Sequence, residues 1–221
     1  MINICNCEQQ IFGEMESNKI SNTALLLIDM QPEWYSQSHI SKLFPKLPET
    51  IANLLRVCRR VSNVEVIHIR AVYSKSNDNI NGENWNKWTD WFKELNPDKQ
   101  TKVDGSDEVE TFAKEITGER LFLKPTFDAF NGTDLHKYLK EKKIDRILAA
   151  GLLTSVCVQA TISSAFSRGY KVDLIEDCCG DRSIERHEAA LLLYGNYMYR
   201  VLTTNDIMSE FPPSLSSNSF T

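Results

Sequence analysis

The stretch KIDRILAAGLLTSVCVQATISSAFSRGYKVDLIED, from Lys143 to Asp177, constrains the fold most, because its residue pattern changes period twice. Ile147-Leu148-Ala149-Ala150 is a short apolar run suited to a strand buried on both faces, and Gly151 follows where the backbone must bend sharply. From Thr154 onward, Val156, Val158, Ala160, Thr161, Ile162, Ala165 and Phe166 fit a buried helix, with Thr154 or Ser155 as N-cap and Gly169 as its stop. Lys171 to Ile175 resumes a strand. This order sets Cys157 in a first helical turn, just beyond the carboxyl end of a parallel strand, where open α/β sheets hold ligands. Unpaired N–H groups and the helix dipole favour a thiolate there, and the same turn can serve an oxyanion.

The rest of the chain repeats the alternation. Thr23 to Ile28 is a continuous apolar run ending at Asp29, as a central parallel strand would read. A loop, MQPEWYSQ, follows. Pro48 and Glu49 then open a helix with Ile51, Leu54, Leu55, Cys58 and Val61 on one face, stopped by Asn63. Val64 to Val72 alternates and is β-branched, so a second strand is expected. Leu121-Phe122-Leu123 forms another, ended by Lys124-Pro125 because the residue before proline is held extended. Leu135, Tyr138 and Leu139 mark a helix; Asp181 or Ser183 caps one running to about Tyr199, and Arg200 to Leu202 is a last strand. The expected fold is therefore α/β, a doubly wound, mainly parallel six-stranded sheet with helices on both faces.

With 221 residues and no strong linker, one domain over residues 22–208 is expected, with residues 1–21 as a flexible N-terminal arm and 209–221 as a disordered tail. The segment from Tyr73 to Gly118 holds Trp85, Trp88 and Trp91 and two helix candidates, around Lys87 to Leu95 and Asp107 to Ile116. A connection of that length reads as a lid or binding wall. A net charge of −5 without a basic stripe excludes nucleic acid and anionic membrane as expected partners, leaving a small-molecule substrate and further copies of the chain in a homo-oligomer. The opening residues lack the basic start and apolar core of a secretory signal, and six scattered cysteines do not form a disulfide framework, so a cytoplasmic protein is expected.

No G-x-G-x-x-G and no Walker lysine occur, so no nucleotide cofactor is expected. Asp29, Lys124 and Cys157 each stand at the end of a separate expected strand. Singly, an aspartate there is a turn residue, a lysine a solvated edge and a cysteine a small hydrophobe. In a parallel sheet, however, those ends share one edge, and an acid, a base and a thiol together make a nucleophile site.

LLLIDMQ, LKPTFDAF followed by GTDLHKYL, and AAGLLTSVCVQATISSAFSRGYKVDLIEDCCGDRSIERHEAAL resemble the isochorismatase-like cysteine hydrolases over roughly residues 22–207. That family includes nicotinamidases, amidohydrolases of carbamoyl and ureido compounds, and isochorismatases. The resemblance implies a catalytic triad of Asp29, Lys124 and Cys157 and a cis peptide between Leu152 and Leu153. The implied oxyanion hole is formed by the backbone N–H groups of Leu153 and Cys157. Gln31, from the D-x-Q piece, joins Trp34, Trp88 and Phe130 as expected substrate-binding residues, the aromatics walling a pocket.

The nicotinamidase branch binds a metal through a D-x-H pattern after the second strand, and this chain has no histidine between residues 69 and 135. His68, His136 and His187 read as structural histidines, and Asp78, Asp90, Asp98 and Asp104 as solvated, so no metal is expected. Cys178-Cys179 lacks C-x-x-C spacing and reads as structural. Three functions follow. The first is metal-independent cysteine hydrolysis of a C–N bond in a small amide or ureido compound. The second is isochorismate hydrolysis, with Asp29 as the acid. The third is a non-catalytic binding module, against which the intact triad argues.

Overall fold

The computed structural model describes residues 22–72, 91, 94, 95 and 108–212. Trp85, Trp88, the N-terminal arm, residues 213–221 and most of the expected lid lie outside them. Six strands, β1 (Thr23–Ile28), β2 (Val64–Ala71), β3 (Arg120–Lys124), β4 (Arg146–Leu152), β5 (Lys171–Gly180) and β6 (Arg200–Leu202), pair in the order β3-β2-β1-β4-β5-β6. Every pairing is parallel. The order reverses between β1 and β4, so a crevice opens at their carboxyl ends.

Alternation of side chains divides the core. Ala24, Leu26 and Ile28 of β1 and Ile147 and Ala149 of β4 face one layer, built by α3 (Leu135–Glu141) and α4 (Gln159–Ser167). Leu25, Leu27, Leu148 and Ala150 face the other, against α2 (Leu47–Cys58), which follows the short α1 (Ile40–Leu43). With both faces covered, every residue of β1 and β4 is buried, which explains their unbroken apolar reading. Cys58, the last residue of α2, is fully buried, while Cys178 and Cys179 point into opposite layers and are free thiols.

Several local expectations are corrected. β5 continues past Ile175 to Gly180 because its register on β4 shifts between Ala149 and Gly151, where Leu174 and then Cys179 become the partners. The helix after it, α5 (Ile184–Tyr194), is capped by Ser183, whose side chain accepts from Arg186 N–H, and ends at Tyr194 instead of Tyr199. The expected helix near Asp107 to Ile116 is, in the described part, a single 3-10 turn at Thr111–Ala113. A last helix, α6 (Thr204–Glu210), was not anticipated; a capping box between Thr203 and Asp206 starts it, and Glu210 pairs with Arg146.

Candidate active site

Asp29 follows β1 directly, with φ +52, a left-handed conformation that a non-glycine residue holds only when its surroundings demand it. Its N–H donates to Ile69 O of β2 at 2.9 Å. Lys124 closes β3 and its side chain is fully buried, where an ammonium is costly unless it is paired. Its Nζ lies 2.8 Å from Asp29 Oδ2 and donates to Thr126 O at 3.1 Å. Cys157 is 6% exposed and sits after β4 with its thiol acting on both groups of that pair. Asp29 Oδ1 is buried and, among the described residues, has no hydrogen-bond donor.

The electrostatics pull both partners one way. Burial raises the Asp29 pKa against the opposing effect of Lys124, so the carboxyl holds a proton more readily than usual. For Lys124 burial opposes the ammonium, but Asp29 and the Cys157 thiol outweigh it and the pKa is raised. The site thus pairs a firmly held cation with a carboxylate of raised proton affinity, beside a thiol.

Close approach of β1 and β4 makes this meeting possible. Gly151 has φ +120, and a Cβ there would lie 2.0 Å from Ile28 O, so only glycine lets the two strand ends touch. The Leu152–Leu153 peptide is cis. Leu153 O then accepts N–H bonds from Val156 at 3.0 Å and Val158 at 3.1 Å, winding Thr154–Val158 into a π turn ahead of α4. Neither Thr154 nor Ser155 caps this turn with its own side chain, contrary to expectation. Ser155 N–H is instead taken by Asp181 Oδ2 at 2.6 Å, from 26 residues away. The expected stop is present: at Gly169, φ +85, Gly169 N–H reaches Phe166 O and Tyr170 N–H reaches Ala165 O.

Two of the expected substrate contacts, Gln31 and Phe130, make contacts within the fold. Gln31 is fully buried, and its amide donates to Ala71 O at 3.1 Å and accepts Ala71 N–H at 2.9 Å, which ties the loop after β1 to the end of β2. Phe130 stacks on Tyr170 at 6.1 Å beneath the Arg168 guanidinium, at the far end of α4. Eleven residues of helix separate Arg168 from Cys157, about 16 Å at 1.5 Å per residue. It is a core ring there because loop 125–134 runs down α4, Thr161 binding Ala129 and Ser164 binding Asp128. Trp34 ends a 3-10 turn, Pro32–Trp34, half-buried against the α2 layer. Trp88 lies outside the described residues.

The histidines all have structural partners. His68 Nε2 meets Glu119 Oε2 at 2.8 Å, His39 Nε2 meets Arg182 O at 2.8 Å, and His187 Nδ1 meets Thr154 Oγ1 at 2.8 Å. His136 is half-buried and bound to the Tyr170 hydroxyl at 3.0 Å. Among the described residues no three His, Cys, Asp or Glu side chains come together as metal ligands. No described helix is long and apolar enough to cross a membrane. Asp181 and Thr154, read in the sequence only as helix caps, and His187, read as a structural histidine, instead fasten the turn that carries Cys157.

Comparison with known proteins places the chain in a family. Over 171 residues the chain is 27% identical to nicotinamidase 3 of Arabidopsis thaliana, covering 76% of this chain and 78% of that one. It is 31% identical over 93 residues to maleamate amidohydrolase of Pseudomonas putida, a match covering 42% of this chain and 44%, less than half, of that relative. The fold matches the crystal structure of a cysteine hydrolase from Pseudomonas syringae pv. phaseolicola with TM-score 0.72 at 21% identity, covering 86% and 92% of the two chains. The isochorismatase domain model matches residues 23–206, and the chain accordingly belongs to the isochorismatase family of hydrolases.

Proposed function

We propose that this protein is a cysteine hydrolase that cleaves a C–N bond of a small amide or ureido compound through an acyl-enzyme on Cys157. The observation that carries the reading is the buried Asp29–Lys124 ion pair with the Cys157 thiol against it at the reversal of strand order. An ammonium beside sulfur stabilises the thiolate. The thiol proton passes to Asp29 as sulfur attacks the carbonyl carbon, and the backbone N–H groups of Leu153 and Cys157 take the oxyanion. Collapse breaks the C–N bond while Asp29 returns its proton to the departing nitrogen. Water then attacks the thioester, giving a proton to Asp29; the acid product leaves and the proton goes back to sulfur. Asp29, with raised proton affinity, suits both directions of transfer.

The same raised affinity supports a second reading, in which Asp29 protonates the enol-ether carbon of isochorismate and no covalent intermediate forms. A panel of amide and ureido compounds, with isochorismate alongside, separates the two by ammonia against pyruvate release. Cys157→Ala is expected to abolish ammonia release, and quenched wild-type protein to carry the acyl mass on Cys157. Undiminished turnover by Cys157→Ala, with pyruvate as product, would establish the second reading instead.

A further inference from the structure

The π turn bearing Cys157 is fastened to the corner between β5 and α5 by two groups outside the triad. Asp181, with no solvent exposure, accepts Ser155 N–H on Oδ2 at 2.6 Å and Arg182 N–H on Oδ1 at 2.7 Å. The Thr154 hydroxyl donates its single proton to Gly180 O at 3.0 Å, so towards His187 Nδ1, 2.8 Å away, it can only accept. His187 is thereby held with the proton on Nδ1. Burial lowers its pKa against the opposing charges of Asp181 and Glu188, which favours the neutral ring, although Nδ1 carries the donated proton in either state.

These bonds grip Thr154 and Ser155, the first two residues of the turn, which follow Leu153 and precede Cys157. Ser155 N–H is one of the donors at the start of this turn, and a first-turn donor without a partner would compete for any anion in the crevice. Asp181 occupies it, and in doing so sets the orientation of the peptide planes on either side. We propose that Asp181 is a positioning residue for the reaction: by clamping Ser155 it keeps the N–H groups of Leu153 and Cys157 aimed at the oxyanion. The proposal rests on Cys157 being the nucleophile. It separates two properties of the thiol. Alkylation needs only a thiolate, whereas acylation needs the thiolate and aligned oxyanion donors together.

Asp181→Asn tests this, because the amide keeps the shape but presents one N–H group to a backbone N–H where the carboxylate presented an oxygen. p-Nitrophenyl acetate serves as acyl donor, its leaving group needing no proton, and iodoacetamide as alkylator. The ratio of acylation to alkylation rate at Cys157 is expected to fall about 10- to 100-fold, with alkylation within about threefold of wild type. Thr154→Val, which removes the second fastening, is expected to lower the same ratio, and Thr154→Ser to restore it; this pair decides the matter if Asp181→Asn does not fold. An unchanged ratio in the folded variants, or a parallel loss of both rates, overturns the positioning role. If wild-type Cys157 itself is not acylated, the nucleophile reading fails first and this one with it.

Discussion

Replacing Lys124 by methionine should destabilise the protein by an amount that depends on pH in a calculable way. The ammonium is fully buried, 2.8 Å from Asp29 Oδ2, and methionine retains its unbranched shape while deleting the charge. Asp29, 2% exposed, then has no counter-ion at that distance and escapes the penalty of a buried charge by binding a proton. Protonating an ordinary carboxyl of pKa 3.9 costs 1.36 kcal/mol per pH unit, so the ceiling on this penalty is about 4 kcal/mol at pH 7 and about 1.5 kcal/mol at pH 5. The lost bond to Thr126 O adds about 1 kcal/mol at either pH. Urea unfolding of wild type, Lys124→Met, and Asp29→Asn combined with Lys124→Met, at both pH values, measures these quantities. The single variant should recover about 2.5 kcal/mol relative to the double variant on going from pH 7 to pH 5. A loss that is the same at both pH values would show that Asp29 is not left as the unpaired charge, and the account of the pair would be wrong.

Gly151→Ala should cost about 3 kcal/mol or more and abolish hydrolysis, since a Cβ 2.0 Å from Ile28 O must part the strands that carry Asp29 and Cys157; an unchanged urea midpoint with full activity refutes it. His68 and His187 both have pKa values lowered from 6.5, chiefly by burial. Below that value the unfolded chain binds protons that the folded chain refuses, so stability present above pH 6.5 is lost as pH falls towards the folded pKa. Thermal scans should show a falling Tm over that window, shallower in His187→Gln; equal slopes would exclude His187 as a contributor. In native protein at pH 8, iodoacetamide should label Cys157 ahead of Cys58, Cys178 and Cys179. The Cys58 and Cys178 thiols are pushed up to about 12, chiefly by burial, and Cys179 well above its usual value. Faster labelling of Cys178, read by peptide mass mapping, would contradict the burial shown.

The strands were legible because burial on both faces writes itself as an unbroken apolar run: Thr23 to Ile28 reads identically in sequence and structure. Alternation of strand and helix implied a parallel sheet, and that in turn implied that Asp29, Lys124 and Cys157 share an edge. Such readings need only information carried within one element. The same is true of Gly169, whose lack of a side chain announces a left-handed helix end.

What required the tertiary structure was every property that depends on which elements are neighbours. That the Gln31 amide closes on Ala71 becomes visible only when β2 is placed beside it. Phe130 is near Lys124 in sequence, yet the chain after β3 runs down α4 and leaves the ring under Arg168. The cap of the turn that carries Cys157 could not be read locally either, since the carboxylate that satisfies Ser155 comes from Asp181 across the β4–β5 edge. Residue pattern determined which segments are buried and in what form, because burial acts on each element through its own period. Strand order alone decided which polar groups meet at the crevice, because a hydrogen bond selects its partner by distance in space and is blind to separation along the chain.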